Sequence, residues 1–323
     1  MKAIVFNQYG QPDVLLLEEV KKPSPRNNEV LIKVHAVSLN YADWHMLTGK
    51  PFVARLSFGL FRPMKNILGA DIAGVVEAIG PGITRFKPGD EVYGDLGMVG
   101  FGGLAEYVCA PEHVIATKPT NLTYEESAAL PMASVTALQA LQNDGQVQPG
   151  QEVLIHGSAG GVGTFAIQIA KYLGAEVTGV CSTRNIEQTL ALGADHVIDY
   201  LKEDFAANGK TYDLILGING NRSIFDYRKA LAPNGKYLMI GGSDKQIFQF
   251  MLLGPFIARP GQKMGSVFAK TLSKELIAIK DLAEAGKIRP LIDRTYKLAE
   301  TPEAMRYLGT GHARAKIIIK IVP

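Results

Sequence analysis

The sequence predicts an α/β chain in two parts, a compact β-rich unit followed by a doubly wound unit built on a parallel sheet. Three observations carry this. The first third is rich in β-branched residues and turn punctuation and has few segments of helical period. Beyond residue 150, strands alternate with helices, which implies right-handed crossovers and parallel pairing. At the first strand-to-helix junction of that alternation stands "HGSAGGVG" (156–163), in which four of eight residues are glycine. Glycine is costly inside regular structure, so this cluster needs a reason.

Each element has its own signal. "EVLIKVHAVSLN" (29–40), "DIAGVVEAIG" (71–80), "DEVYGD" (90–95) and "LAEYVCAP" (104–111) read as strands between Gly, Pro and Asn. Thr123 with Glu126 three residues on is a capping box and opens helical sequence. Pro131 interrupts it and "SVTALQALQN" (134–143) resumes it. Then come the strand "EVLIHG" (152–157), the helix "GTFAIQIAKYLG" (163–174), the strand "AEVTGVCS" (175–182) and the helix "NIEQTLALG" (185–193). "HVIDY" (196–200), "YDLILGI" (212–218) and "KYLMIGG" (236–242) are further strands, and Gly174 and Gly193 end helices. "TLSKELIAIKDLAEAGK" (271–287) is an amphipathic helix, Pro302 suits a first helical position, and "AKIIIKIV" (315–322) is a strand. The expected division is 1–123 for the first part of the β-rich unit, 124–265 for the parallel-sheet unit and 266–323 for the return to the first.

Composition bounds the function. Apolar residues make up 47% and charged residues 20% of 323, which is ordinary for a globular chain. A net charge of +3, with no basic run interleaved with aromatics, argues against a nucleic-acid partner. Cys109 and Cys181 are the only cysteines, which excludes a disulfide framework and a four-cysteine zinc lobe and suits a reducing cytosol. "MKAIVFNQYG" has no secretory apolar run, and no uncharged stretch reaches transmembrane length. A cytoplasmic protein with a small-molecule substrate and no membrane partner is expected.

The glycine cluster sits between a strand and a helix, followed by a second strand, which is the setting of a dinucleotide fingerprint. There a pyrophosphate must touch backbone near a helix N-terminus, where unpaired N–H groups and the dipole favour an anion. Ser158 occupies the first glycine position and is expected among the cofactor contacts, so the available match is Gly157-x-x-Gly160-x-x-Gly163. Gly160 and Gly161, with Val162 beside them, permit the approach, and Gly163 lets the helix lie close on the sheet. An ordinary glycine-rich connection is the competing reading. The second strand ends in Cys181-Ser182-Thr183-Arg184-Asn185, without the carboxylate that holds the NAD ribose. Ser182, Thr183 and Arg184 are donors that suit a 2′-phosphate, so NADP is expected over NAD. Capping of the next helix is the alternative use of the same residues.

"GADIAGVVEAIGPGITRFKPGDEVYG" (69–94), "HGSAGGVGTFAIQIAKYLGAEVTGVCSTRN" (156–185) and "LGADHVIDYLKEDF" (192–205) resemble the medium-chain dehydrogenase/reductase superfamily, in its quinone oxidoreductase branch. The likeness runs through the whole chain. It implies a GroES-like catalytic domain, a Rossmann domain, and a homodimer formed at the Rossmann sheet edge near "KMGSVF" (263–268). Zinc-dependent members place ligands where this chain has Asn40, Ala70 and a residue near Met132, none of which binds zinc well. Its histidines form no ligand spacing, so a zinc-free enzyme is expected. Asp43, at a position that supports the metal in those members, reads here as a local cap.

Without a strong Lewis acid, the resemblance implies hydride transfer from NADPH to a quinone or an α,β-unsaturated carbonyl. Asn40 and Tyr41 then stand where the acceptor oxygen needs donors; making a turn and packing are the competing readings. Further cofactor contacts implied are Thr136 near the nicotinamide, Tyr200 toward the adenosine phosphate, Gly241 and Gly242 at the carboxyl edge of the sheet, and Arg314 or Lys316 on the phosphates. One departure concerns Gly217-Ile218-Asn219-Gly220-Asn221, where many relatives carry an Asp. Segment 46–66 reads as a substrate lid. Segment 244–261 reads as a pocket wall, a subunit interface or a membrane contact. The rival functions are an alcohol or aldehyde dehydrogenase, which needs metal, and a non-catalytic NADPH-binding sensor or structural protein.

Overall fold

The computed structural model of the chain describes residues 1–50, 52, 55–218, 222–242 and 244–321. In chain order it begins with β1 (Lys2–Val5), β2 (Leu16–Glu19), β3 (Glu29–Leu39), α1 (Tyr41–Thr48), α2 (Arg55–Phe58), β4 (Asp71–Ile79), β5 (Glu91–Asp95), β6 (Tyr107–Pro111), β7 (Ile115–Thr117) and α3 (Tyr124–Ala128). It continues with α4 (Pro131–Leu138), β8 (Glu152–His156), α5 (Gly161–Tyr172), β9 (Glu176–Cys181), α6 (Ile186–Ala191) and β10 (His196–Asp199). Next are β11 (Tyr212–Gly217), α7 (Ile224–Ala230), β12 (Leu231–Met239), α8 (Asp244–Ile257) and β13 (Lys263–Ser266). It closes with α9 (Ser273–Glu284), β14 (Ile292–Lys297), α10 (Thr301–Gly309) and β15 (Lys316–Lys320).

Two compact units result: 1–132 with 270–286 and 290–323, and 133–269 with 287–289. The first break falls nine residues beyond the expected 123/124, because α3 packs on β3 and β4 of the first unit. Residues 287–289 join the second unit. There the Gln168 amide of α5 donates to the Arg289 carbonyl at 3.0 Å and accepts from its N–H at 2.8 Å. Pro131 does not interrupt a helix but opens α4, where its missing N–H has no cost.

In the first unit the sheet runs β14-β15-β3-β4-β5-β7, with β6 added on β3. The pairs are antiparallel except β14 with β15. The eleven-residue β3 is its spine, and Val30, Ile32, Val34, Val37 and Leu39 lie in one apolar core with Ile72, Val92 and Ile317. Helix α1 was hidden in the sequence behind its short length. Gly49 ends it in the left-handed region, at φ 61°, where a side chain is disfavoured.

The sheet of the second unit has the order β10-β9-β8-β11-β12-β13, and every pair is parallel. The first strand of the unit, β8, lies at the centre, and the chain winds outward from it in both directions. This is the doubly wound arrangement, and the switch point lies between the carboxyl ends of β8 and β11. Strand β13 closes one edge. Its segment gave no strand signal, and α8 before it is a helix whose Phe248, Met251, Leu252, Leu253 and Phe256 remain exposed.

Candidate active site

The glycine turn leaves β8 at the switch point. Gly157 has φ 94°, and its N–H and that of Ser158 both donate to the Val180 carbonyl of β9, at 3.1 and 3.2 Å. Helix α5 starts at Gly161, so the N–H groups of Gly161, Val162 and Gly163 have no partner within the helix. A Cβ on Gly163 would stand 2.2 Å from the Gly157 carbonyl oxygen, so only glycine lets α5 seat here. Gly160 differs. Its φ is −83°, and a Cβ would meet only the Gly157 oxygen at 3.6 Å. Nothing within the protein demands glycine there, and the space it leaves beside those N–H groups suits a pyrophosphate.

Ser158 requires a correction. It is fully buried, and its hydroxyl donates to the Val180 carbonyl at 3.2 Å and lies 3.4 Å from that of Thr189. It packs beneath the turn and offers its side chain to no cofactor. Gly241 is also held from inside, since a Cβ would come within 2.6 Å of the Ile218 carbonyl oxygen. Gly242 is half-buried, Thr136 on α4 is buried, and Tyr200 is exposed after β10. Residues 219–221 of the departing segment lie outside the described residues.

The end of β9 is more mixed than the sequence indicated. Asp199 of β10 pairs in register with Cys181 and brings a carboxylate to this place from the neighbouring strand. Thr183 donates its hydroxyl to Asp199 at 2.5 Å, and the Leu201 N–H and the Lys202 ammonium reach the same group at 3.1 and 3.6 Å. The Thr183 hydroxyl, foremost, holds the Asp199 carboxyl below its ordinary range. Thr183 therefore does not donate to a phosphate. The Asn185 amide donates to Ser182 at 3.2 Å, and its buried carbonyl oxygen has no partner. The 2′-phosphate reading then rests on Ser182 and the exposed Arg184.

In the first unit a polar row crosses the sheet. Register sets Ser38 of β3 opposite Asp71 of β4, and Asp71 opposite Asp95 of β5. On the other side of β3, Leu39 pairs with Ile317, so Asn40 and Lys316 follow at the adjacent step. The Lys316 ammonium donates to the Asn40 carbonyl oxygen and lies 3.4 Å from Asp71. The Asn40 amide donates to Asp71 at 2.9 Å and to the Ser38 carbonyl at 3.3 Å. The other Asp71 oxygen accepts the Met132 N–H at 2.9 Å. Asp43 of α1 accepts the N–H groups of Asn40 and Gly69, at 2.9 and 2.8 Å, which is the expected cap.

This arrangement corrects two assignments. Lys316 is 3% exposed and tied to Asn40 and Asp71, so it does not reach cofactor phosphates. Asn40 spends both amide hydrogens and its oxygen inside the row, and it offers no donor to an acceptor molecule. Burial pushes Asp71 up to about 7, with Lys316 pulling it back. Burial likewise raises Asp43 to about 6 against its two backbone donors. Asp95, which accepts the Gly97 N–H at 2.7 Å, is also raised by burial. Asp71, Asp95 and Asp199 were missed in the sequence. The available signal was a charge set at the end of an apolar run, as in "DIAGVV" and "AKIIIK".

Zinc does not fit at this place. Ala70 carries no donor atom, Asn40 is committed, and the Lys316 ammonium already faces the carboxylate. Among the described residues no group of three or more His, Cys, Asp or Glu has metal-binding geometry.

Tyr41 begins α1 and is half exposed. Its hydroxyl makes one long contact, 3.4 Å to the Leu308 carbonyl of α10, and burial raises its pKa. The phenol thus stays protonated at neutral pH and can hand its hydrogen to an arriving oxygen. Beyond α1, Phe52, Leu56, Leu60, Phe61 and Met64 are exposed. The Tyr9 hydroxyl holds the Gly59 carbonyl at 2.6 Å, and the Arg55 guanidinium lies 4.5 Å from the Tyr9 ring. Arg314 is exposed, and its N–H donates to Asp293 at 2.7 Å. Residues 51, 53 and 54 of the expected lid lie outside the described residues.

A family model for the alcohol dehydrogenase GroES-like domain matches residues 26–120, and one for zinc-binding dehydrogenases matches residues 192–319. The chain is 33% identical to the chloroplast envelope quinone oxidoreductase homolog of Arabidopsis thaliana, over 99% of this chain and 98% of that protein. It is 32% identical to the chloroplastic NADPH-dependent alkenal/one oxidoreductase of the same plant, over 100% of this chain and 80% of that protein. The quinone oxidoreductase from Coxiella burnetii superimposes with a TM-score of 0.89 at 35% identity, covering 100% of this chain and 99% of that one. The parallel sheet with its glycine turn, the β-rich unit and these likenesses agree: the chain belongs to the quinone oxidoreductase-like branch of the medium-chain dehydrogenase/reductase superfamily.

Proposed function

We propose that the protein is an NADPH-dependent, zinc-free reductase of quinones or α,β-unsaturated carbonyls. Two features support this reading, one in each unit: the glycine cradle at α5 and, separately, the protonated, half-exposed phenol of Tyr41. A bound nicotinamide dinucleotide supplies the hydride. The protein has to seat its pyrophosphate on the α5 amides and hold the acceptor oxygen as charge develops there. Tyr41 is the donor for that oxygen and delivers its proton directly or through water. Asn40 positions rather than donates. The exposed apolar residues from Phe52 to Met64 favour a flat, apolar acceptor.

NADPH is preferred on the strength of Ser182 and Arg184, and one relative's name points the same way. Asp199 and the unpartnered Asn185 oxygen favour a second reading, in which NADH is also used, because both are acceptors for a ribose hydroxyl. A homodimer is proposed from the free edge of β13 and the exposed apolar face of α8 beside it. Both cysteines are unpaired, in keeping with a reducing compartment such as the cytosol. Among the described residues no helix is long and apolar enough to cross a membrane.

The test is cofactor consumption by purified protein with matched quinone and enal acceptors, with NADH beside NADPH. Rapid NADPH oxidation supports the assignment, and the better acceptor names the subclass. Tight NADPH binding with no turnover would return the protein to the sensor reading. Activity lost on chelation and regained with zinc would return it to the alcohol dehydrogenases.

A further inference from the structure

We propose that Lys316 is a positioning residue for the acceptor site: through Asn40 and Asp71 its ammonium fixes the N-terminus of α1, and with it Tyr41. The inference rests on the reading that Tyr41 acts on the acceptor. It starts from the row that crosses β15, β3, β4 and β5. There, among the described residues, three buried carboxylates (Asp43, Asp71 and Asp95) gather around one buried ammonium. Such a row is not needed for stability, because apolar side chains of similar volume serve a core as well or better. Its geometry serves orientation instead.

Asn40 is the link. Its oxygen accepts a hydrogen bond from the Lys316 ammonium, and its amide hydrogens go to Asp71 and the Ser38 carbonyl. The amide plane is thus fixed from three directions. Asn40 also immediately precedes α1, and its N–H donates to Asp43. Asp43 in turn takes the Gly69 N–H ahead of β4. The helix start is tied to two strands of the sheet, and the next residue is Tyr41. Without the ammonium, the Asn40 oxygen becomes a buried acceptor with no donor, and the amide must turn to find one. A shift of about 1 Å at the phenol costs on the order of a hundredfold in rate.

The chain carries its own reporter. Trp44, the only tryptophan, lies on α1 one turn beyond Tyr41 and packs against Gly309, where a Cβ would come within 2.3 Å of its ring. The test compares wild type, Lys316→Met and Lys316→Met/Asp71→Asn in the full chain. It reads urea stability, Trp44 emission, NADPH affinity, and kcat and KM for one quinone. Lys316→Met is expected to lose stability, because it leaves a buried carboxylate unpaired. The double variant regains that stability by removing both charges. In both variants kcat falls at least about tenfold, Trp44 emission shifts, and NADPH affinity is unchanged. A folded double variant with wild-type kcat and emission would overturn the proposal and reduce Lys316 to charge balance. If wild type turns over no acceptor, the functional reading fails on its own, and Trp44 emission still decides whether Lys316 positions α1.

Discussion

The glycine turn and the polar row are built in opposite ways. The turn is local: residues 157–163 contain every group of the proposed pyrophosphate cradle, and the design consists of side chains left out. The row is assembled from positions 38, 40, 71, 95 and 316, which strand register brings together, with Asp43 joining from α1. A local site of missing side chains tolerates almost no addition. A distributed site of charges tolerates changes that keep its balance.

The largest effect is expected within the turn, from two substitutions three residues apart. Gly163→Ala forces α5 away from the Gly157 carbonyl, an overpacking change that costs roughly 1–3 kcal/mol. It should abolish measurable NADPH binding as well. Gly160→Ala meets only an ordinary contact, so urea stability should stay within about 0.5 kcal/mol of wild type. Its NADPH affinity should nevertheless fall at least about tenfold, the loss of one close phosphate contact. A Gly160→Ala protein that binds NADPH as wild type does would show that the cradle seats nothing.

The same contrast explains what was legible in the sequence. The parallel sheet could be read because most of its strands and helices announce themselves within ten or so residues, β13 and α8 excepted, and Gly163 because its role is local. Ser158 was misassigned because a sequence cannot say which way a hydroxyl in a turn points; here it points into β9. Thr183 was misassigned because its partner, Asp199, comes from another strand. Lys316 was assigned to the cofactor phosphates, yet register buries it beside Asn40 and Asp71. Helix α1 escaped notice because eight residues give too few turns for a periodic signal.

A chemical contrast comes next in size. Tyr41→Phe removes one hydroxyl whose hydrogen-bond contact among the described residues is the Leu308 carbonyl at 3.4 Å. Stability should hardly change. If the phenol serves the acceptor oxygen, kcat should drop by about 10²-fold, the usual scale for a lost acid catalyst. NADPH affinity should not change, because the cradle is untouched. Equal kcat in Tyr41→Phe would leave protonation to water and move the site's chemistry elsewhere.

The two units should also answer pH in opposite directions. Asp43 and Asp71 have folded pKa values of about 6 and about 7, above the unfolded carboxylate range. The folded state keeps protons that the unfolded state has released. The first unit should therefore be most stable in mild acid and lose stability as pH climbs from about 4 to about 7. Lys316 and the Asn40 and Gly69 N–H groups share that environment and temper the slope, whereas Asp95 adds to it. His156, in the second unit, is buried against Tyr227 and Phe205, and burial pushes it down to about 4. Its unfolded form takes up a proton first, so the second unit should lose stability as pH falls from about 6.5 to about 4. The His156 swing is on the order of 3 kcal/mol, and that of the two carboxylates together is larger. Urea midpoints followed by Trp44 emission should fall between pH 5.5 and 8. His156→Gln should flatten the acid limb seen by circular dichroism and leave the Trp44 limb alone. A Trp44 midpoint that rises across that range would mean the row is charge-balanced in a different way.

The smallest effect sharpens the contrast inside the second unit itself, because the end of β9 is a distributed site lying beside a local one. Arg184 is exposed, and its removal should cost little stability. If its guanidinium meets a 2′-phosphate, Arg184→Ala should lower kcat/KM for NADPH about tenfold, one charge-assisted contact, and leave NADH untouched. Asp199→Asn acts through its partner. It removes the carboxylate that holds the Thr183 proton, so Thr183 can turn that proton toward a phosphate. The ratio of NADPH to NADH use should rise in Asp199→Asn and fall in Arg184→Ala. Ratios moving together in the two variants would mean that Asp199 supports the loop without reading the ribose. Opposite movement would make cofactor choice depend on two strands at once, so that neither residue alone, read along the sequence, could have named the cofactor.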